Sequence, residues 1–354
     1  MLVLLGVASP AFGVDEVVSV PAGTSVPDSH VRILLPDGYD ANPCRHYPVL
    51  LLLHGVGDKW SDWSTKSDLA AFAHSLPLIV VMPDGGHGGD AGWYTDWHDG
   101  SRQWEQFHMG LVRYVDQHYR TQGDGHRLIA GFSMGGFGAM SYAARHPRMF
   151  QAAAAFSGIV DTMYAYPASG PGFSTLHDRF GTPDDRVWGN QLTNSAEWRA
   201  HNPTDLAASL RGTSLFLYTG IGAPAGSAGD DPNQAQQYVV ENFVFQTNVS
   251  FMRALATAGV PYVSDVHPGY HDWPYFQAGL HWALPQMVPL ANDVAQSTAV
   301  CPTAAATPVP GQSESLPATG ADQSPVPLLA LLTSAALLRR LLGTAARPRS
   351  TFRG

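Results

Sequence analysis

Residues 127–147 read RLIAGFSMGGFGAMSYAARHP. A short apolar strand, Arg127–Ala130, runs into Gly-Phe-Ser-Met-Gly, and a helix of small residues follows. A serine in the pattern Gly-x-Ser-x-Gly between a strand and a helix is typical of the sharp turn called the nucleophile elbow. Glycine at positions 131 and 135 leaves room for such a turn. The stretch therefore predicts that Ser133 is an exposed nucleophile.

The rest of the body alternates between strand and helix patterns from about Val31 to Leu290. This alternation predicts an α/β protein with a largely parallel sheet. Leu50–Leu53 is a continuous apolar run, as expected of a strand that is covered on both faces. We therefore expect residues 14–300 to form one α/β-hydrolase domain, with a mostly parallel central sheet flanked by helices.

A serine hydroxyl needs a base, and in this fold the chain order is serine, acid, histidine. The base is therefore expected after the last predicted strand, Tyr262–Val266. His271 lies in the following loop, Pro-Gly-Tyr-His-Asp-Trp, and is the favoured base. His267 stands at the strand end, where packing is the expected role, and His281 falls within a helix and is expected to be structural.

The acid is expected after the predicted strand Ser214–Tyr218. The carboxylates in the loop that follows, residues 219–232, are Asp230 and Asp231. Asp230 is the first choice. Asp231 is the second, because it stands before Pro232 where it could instead cap a helix.

Two backbone amides are expected to form the oxyanion hole. The Met134 N–H lies at the start of the helix that follows Ser133, and the Val56 N–H lies in the loop after the Leu50–Leu53 strand. His54 is the first residue of that loop, and we expect it to brace the loop rather than to react.

Composition excludes some partners. The chain has 354 residues, is 45% hydrophobic and carries a net charge of −9, so it can bury a core but offers no basic face for nucleic acid. Spacings typical of metal sites are absent from the sequence, so neither metal nor cofactor is expected. Cys44 and Cys301 are either a disulfide pair or two free thiols.

Both ends of the chain are predicted to carry targeting signals. Residues 1–13 have the apolar run and small-x-small end of a signal peptide, although a first buried strand is the alternative. Residues 301–315 form a linker, and residues 316–354 contain Leu316-Pro-Ala-Thr-Gly320, an apolar stretch and a basic tail. This order resembles a sortase cell-wall sorting signal, which implies cleavage after Thr319 and attachment to peptidoglycan. A plain membrane anchor or a chance pentapeptide is the alternative.

Several stretches resemble the esterase D-like family, which includes S-formylglutathione hydrolases, small esterases and mycolyltransferases. They are PVLLLLHG (48–55), VVMPDGG (80–86), GWYTDW (92–97), the elbow at 128–147, residues 213–246 and PGYHDWPYF (268–276). The resemblance covers roughly residues 30–290. It implies the same nucleophile, base and oxyanion amides as the residue patterns.

Three functions follow from these patterns. The first is a secreted serine esterase for acyl esters, anchored to the wall or membrane. The second is an acyltransferase that passes the acyl group to a sugar or lipid hydroxyl. The third is a wall-anchored binding protein without catalysis. Mycolyltransferases carry an Asp and an Arg near the oxyanion loop, where this chain has His54 and Gly57, which favours the esterase. The aromatic-rich segment 157–201 either shapes an acyl or acceptor site or packs as a surface excursion.

Overall fold

A computed structural model of the chain describes residues 14–18, 24–27, 29–166, 170–171, 184–223 and 234–301. The expected signal peptide, most of the linker, the sorting signal and the two candidate acids Asp230 and Asp231 lie outside these residues.

The strands of the described chain form an eight-stranded sheet and a small two-stranded one. Their bounds are Val14–Val17 (β1), His30–Leu34 (β2), Val49–Leu53 (β3), Ile79–Pro83 (β4), Arg127–Phe132 (β5), Ala152–Phe156 (β6), Ala165–Tyr166 (β7), Gly170–Pro171 (β8), Ser214–Gly220 (β9) and Tyr262–His267 (β10). The large sheet has the order β1-β2-β4-β3-β5-β6-β9-β10. The strands from β4 to β10 in this order are parallel, and β1 and β2 are antiparallel additions at one edge.

Helices cover both faces of the large sheet. Their bounds are Asp62–Lys66 (α1), Leu69–His74 (α2), Trp104–His118 (α3), Met134–Arg145 (α4), Asp184–Val187 (α5), Ser195–His201 (α6), Ala235–Ala258 (α7), Trp273–Ala291 (α8) and Val294–Ser297 (α9), with 3₁₀ turns at Gly88–Asp90 and Ala207–Leu210. The predicted α/β-hydrolase architecture is confirmed. None of the helices described here combines the length and apolarity that crossing a membrane requires.

Strand β3 shows why an unbroken apolar run folds this way. All five of its residues are buried. Successive side chains of a strand point to opposite faces. Leu51 and Leu53 accordingly join the core that contains α3, α4 and α7, whereas Leu50 and Leu52 join the core that contains α2 and α8. A strand with a polar face would leave one of these cores incomplete.

The two cysteines are joined. Cys44, in the loop before β3, forms a disulfide with Cys301 across 257 residues of sequence, with 5.2 Å between the Cα atoms. Of the two alternatives that the sequence left open, the structure has the disulfide.

Part of the aromatic-rich segment 157–201 packs into the protein. Trp188 and Trp198 are fully buried in the core beside α4, and their rings lie 5.0 Å apart. Residues 167–169 and 172–183 of the segment lie outside the described part of the chain.

Candidate active site

Ser133 occupies a strained turn between β5 and α4. Its φ of 53° and ψ of −118° are unusual for a residue other than glycine, and such a conformation persists only where the surroundings hold it. The Ser133 N–H donates to the Phe156 carbonyl at 3.0 Å, and the Ser133 carbonyl accepts from the Phe137 N–H at 3.1 Å. These bonds fix the serine between the ends of two neighbouring strands and the first turn of α4.

The glycines of the elbow are required by space. A Cβ on Gly131 would lie 2.5 Å from the carbonyl carbon of Gly135, and a Cβ on Gly135 would lie 2.5 Å from the Leu53 carbonyl oxygen. Any side chain at either position would push the helix away from the strands. The Gly-x-Ser-x-Gly pattern is therefore a packing requirement of this turn.

His271 lies in the loop between β10 and α8. Its Nδ1 is 2.7 Å from Oε2 of Glu241, and its backbone N–H donates to the Gln237 carbonyl at 3.2 Å. Because a carboxylate oxygen accepts, Nδ1 carries the proton in this pair, and Nε2 is left to accept a proton. This is the tautomer that a general base for a hydroxyl needs.

Glu241 is completely buried in α7, and hydrogen bonds satisfy its carboxylate. Oε1 accepts from the Ser157 hydroxyl at 2.7 Å, the Gly220 N–H at 2.7 Å and the Thr219 hydroxyl at 3.2 Å. Oε2 is thereby left to His271. Burying a carboxylate without partners costs free energy, because the group loses its hydration. The hydrogen bonds offset that cost and fix the orientation of the carboxylate.

The acid was expected from the loop after β9, at Asp230 with Asp231 as the alternative. Both lie outside the described residues, and the carboxylate that the structure brings to His271 is Glu241. The sequence did contain a signal for it. Glu241 is the only carboxylate of α7, and it stands between the apolar residues Val240 and Phe243 that the helix buries.

Contacts on two sides connect Ser133 with His271. The Phe132 ring, directly before Ser133, stacks on Phe276 at 4.3 Å, and Phe276 lies 5.0 Å from the His271 ring. On the other side, Ser157 follows the strand next to β5 and bonds to the Glu241 carboxylate. Both routes place Ser133 and His271 at the carboxyl edge of the sheet.

The other two late histidines have structural contacts. The His267 ring packs 4.3 Å from Tyr218 and 5.5 Å from Tyr275. His281 pairs through Nε2 with Asp68 at 2.8 Å and stacks on Phe72. These positions agree with the packing roles that were expected from the sequence.

The loop after β3 begins with a tight turn beside the elbow. The Asp58 N–H donates to the Gly55 carbonyl at 3.3 Å, and Gly57 has a φ of 85°. A positive φ at the third residue is characteristic of a type II turn, in which the N–H of the second residue, here Val56, takes no part in the turn. Met134 is the first residue of α4, so its N–H has no partner within the helix. Both amides can therefore serve as donors.

His54 braces this turn. The Gly85 N–H donates to His54 Nε2 at 2.8 Å, so the ring proton is on Nδ1, which lies 2.8 Å from the Gly55 carbonyl. The Tyr94 hydroxyl donates to the His54 carbonyl at 2.9 Å. Burial raises the pKa of Tyr94 well above its usual value, so the hydroxyl keeps its proton. The bracing role expected for His54 fits these contacts.

Among the residues described, no group of three or more His, Cys, Asp or Glu side chains is arranged to hold a metal ion.

The chain is similar to known esterases and acyltransferases. A family model described as "Putative esterase" matches residues 26–287. Esterase Rv1288 of Mycobacterium tuberculosis is 34% identical over 251 residues, which is 68% of this chain and 52% of that protein. Diacylglycerol acyltransferase/mycolyltransferase Ag85B of Mycobacterium leprae is 27% identical over 255 residues, covering 68% of this chain and 75% of that protein.

The solved structure of Mycobacterium tuberculosis MPT51 (FbpC1) matches with a TM-score of 0.63, covering 80% of this chain and all of that one, at 21% identity. At that identity the match supports the fold. The chain spans about half the length of the curated esterases that it matches.

Proposed function

Because this chain belongs to the esterase family and is an enzyme of the esterase or acyltransferase type, we propose that it is an extracellular serine esterase that acts on acyl esters. Ser133 is the nucleophile, His271 the base and Glu241 the acid in this proposal. The observation that carries it is the 2.7 Å bond between Glu241 and His271 Nδ1, which leaves Nε2 free to act on a serine hydroxyl.

In the proposed reaction, His271 Nε2 takes the proton of the Ser133 hydroxyl as its oxygen attacks the acyl carbonyl. The Val56 and Met134 amides stabilise the oxyanion. His271 then returns the proton to the departing alcohol, and an acyl-enzyme remains. Water, activated by the same histidine, releases the acid.

Acyl transfer to a sugar or lipid hydroxyl is the second candidate, and the relative named as a mycolyltransferase favours it. The acyl-enzyme would be the same, with a hydroxyl of the acceptor in place of water. The third candidate, a non-catalytic binding protein, has less support, because a strained serine and a fully bonded Glu–His pair are arrangements that binding alone does not need.

We also propose that the protein is secreted and that a sortase cleaves it between Thr319 and Gly320 and joins Thr319 to the cell wall. The proposal is supported by the order of three features along the chain: the pentapeptide, then the apolar stretch, then the basic tail. The Cys44–Cys301 disulfide also supports secretion, because disulfides form and persist mainly in oxidising compartments outside the cytosol.

The test is hydrolysis of p-nitrophenyl butyrate by the full chain and by Ser133→Ala. Turnover by the wild type and its loss in the variant, typically by several orders of magnitude, support the esterase. Equal turnover by both would exclude Ser133 as the nucleophile. Transfer is then examined by adding trehalose or a monoacylglycerol and measuring the acylated product against free acid.

A further inference from the structure

Lys66 lies between the two loops that carry the proposed oxyanion donor Val56 and the proposed base His271. It ends α1, and its Nζ is 2.7 Å from Oδ1 of Asp58 and 2.8 Å from Oδ2 of Asp62. The same Nζ lies 5.6 Å from the centroid of the Trp273 ring, within the range of a cation–π contact. One ammonium group therefore contacts Asp58 in the first loop and Trp273 at the start of α8, directly after the second loop.

The contact with Asp58 bears directly on the oxyanion turn. Asp58 closes the turn through its N–H bond to Gly55, and Val56 is two residues earlier. The Asp58 side chain is only 13% exposed, and burial raises the pKa of its carboxyl while Lys66 opposes that rise. A partly buried carboxylate is stabilised by a nearby cation. Lys66 therefore holds Asp58, the last residue of the turn, in place.

The contact with Trp273 bears on the base. Trp273 starts α8 two residues after His271, and Asp272 caps that helix by accepting from the Trp273 N–H at 2.7 Å. The Trp273 ring also meets Phe132 at 4.9 Å, next to the nucleophile. A shift of this ring would disturb the first turn of α8, from which the histidine loop departs.

The short helix that carries Lys66 is fastened to the sheet. The Trp63 indole of the same short helix is buried and donates to the Leu53 carbonyl at the end of β3, at 2.9 Å. Asp62 adds an i,i+4 ion pair. The helix is thus anchored to the sheet, and the half-exposed Lys66 side chain extends from it to Asp58 and Trp273.

The residue type fits this role. Lys59 and Lys66 are the only lysines in the sequence, and all other basic residues counted with them are arginines. An ammonium is a compact charge with three rotatable donors, whereas a guanidinium is a planar fork. The ammonium group of lysine is therefore the better fit for a position that bonds two carboxylates and faces an indole ring.

We propose that Lys66 is a positioning residue that couples the oxyanion turn to the base loop through Asp58 and Trp273. The inference rests on the proposed function, because it concerns the geometry of that reaction. Lys66 keeps the Val56 N–H and the His271 ring in a fixed relative position when the tetrahedral intermediate forms.

The test is a double-mutant cycle in the full chain, with kcat and KM for p-nitrophenyl butyrate measured for Lys66→Met, Asp58→Asn and the double variant. Each single variant should lower kcat about tenfold, less than the loss of an oxyanion donor itself. KM should stay within about twofold of the wild type, since the link matters in the transition state. The double variant should lose no more than either single one, because all three break the same link.

The matched control is Lys59→Met, which removes the exposed lysine of the same loop and should keep the wild-type kcat. Thermal midpoints are measured for every variant, and Asp58→Asn provides a nearly isosteric change if Lys66→Met does not fold. A kcat of Lys66→Met within about twofold of the wild type would overturn the proposal. Recovery in the double variant would overturn it as well, since Lys66 would then only neutralise Asp58. A wild type no faster than Ser133→Ala would instead remove the proposed function, and this inference with it.

Discussion

Glu241 and His271 are 30 residues apart in the sequence, and the two side chains meet at 2.7 Å. The carboxylate comes from the interior of α7, and the imidazole from the loop before α8. One carboxylate oxygen is occupied by donors from the ends of β6 and β9, so the other is directed at the imidazole. Three separate parts of the chain therefore set the orientation of the His271 ring.

Replacing Glu241 by Gln should remove most of the activity. The amide keeps the shape of the side chain but can present an N–H to His271 and favour the wrong tautomer, a change that costs about 10⁴ in kcat in such triads. The measurement is kcat for p-nitrophenyl butyrate. Glu197→Gln, at a 45% exposed side chain of α6, is the control and should be unaffected. Near-normal activity of Glu241→Gln would mean that another group serves as the acid.

Ser157 should matter through Glu241. Its hydroxyl is buried and donates to Oε1 at 2.7 Å, and a hydrogen bond to a charged group contributes about 1.5–3 kcal/mol. Ser157→Ala should therefore lower kcat about tenfold while KM stays close to the wild-type value. Ser141→Ala provides the matched control, because Ser141 is equally buried but donates to the His201 carbonyl. Equal effects of the two substitutions on kcat would argue against the positioning role of Ser157.

His108 should make the fold sensitive to mild acid. It is completely buried between the Tyr142 hydroxyl and the Asp84 carbonyl, and burial lowers its pKa from 6.5 to about 4. The unfolded chain takes up a proton below pH 6.5, whereas the folded chain does so only near pH 4. The contribution of neutral His108 is therefore complete above pH 6.5 and is lost as the pH falls toward 4, by up to about 3 kcal/mol.

Urea unfolding at pH 7 and pH 4.5 measures this loss. His108→Asn should lose less free energy of unfolding between the two pH values than the wild type does. His87→Gln, at an exposed position, should keep the wild-type difference. An unchanged difference in His108→Asn would show that other groups cause the acid sensitivity.

Reduction of the Cys44–Cys301 disulfide should destabilise the domain. A cross-link that closes a loop of this length restricts the unfolded chain, and its removal typically costs about 2–5 kcal/mol. Urea unfolding of wild-type protein with and without reductant measures the change, and Cys44→Ser should match the reduced protein. A non-reducing gel gives the direct check, since reduced and oxidised chains should differ in mobility.

The sequence by itself indicated the elbow, the loop that carries His271 and a largely parallel sheet between helices. Each of these signals is local: the strand, turn and helix around Ser133 occupy about 20 residues, and His271 directly follows the last strand. Apolar runs such as β3 can be recognised without knowledge of their partners, because a strand covered on both faces has no polar side.

Only the tertiary structure decided the carboxylate that meets His271, the disulfide and the Lys66 contacts. Glu241 lies within a helix, where a lone carboxylate is only a weak signal for catalysis, and it reaches His271 because α7 packs against β9. Cys44 and Cys301, like Lys66 and Trp273, are brought together by the packing of loops and helices around the sheet. Side chains far apart in the sequence become neighbours through packing, and no short stretch of sequence records that distance.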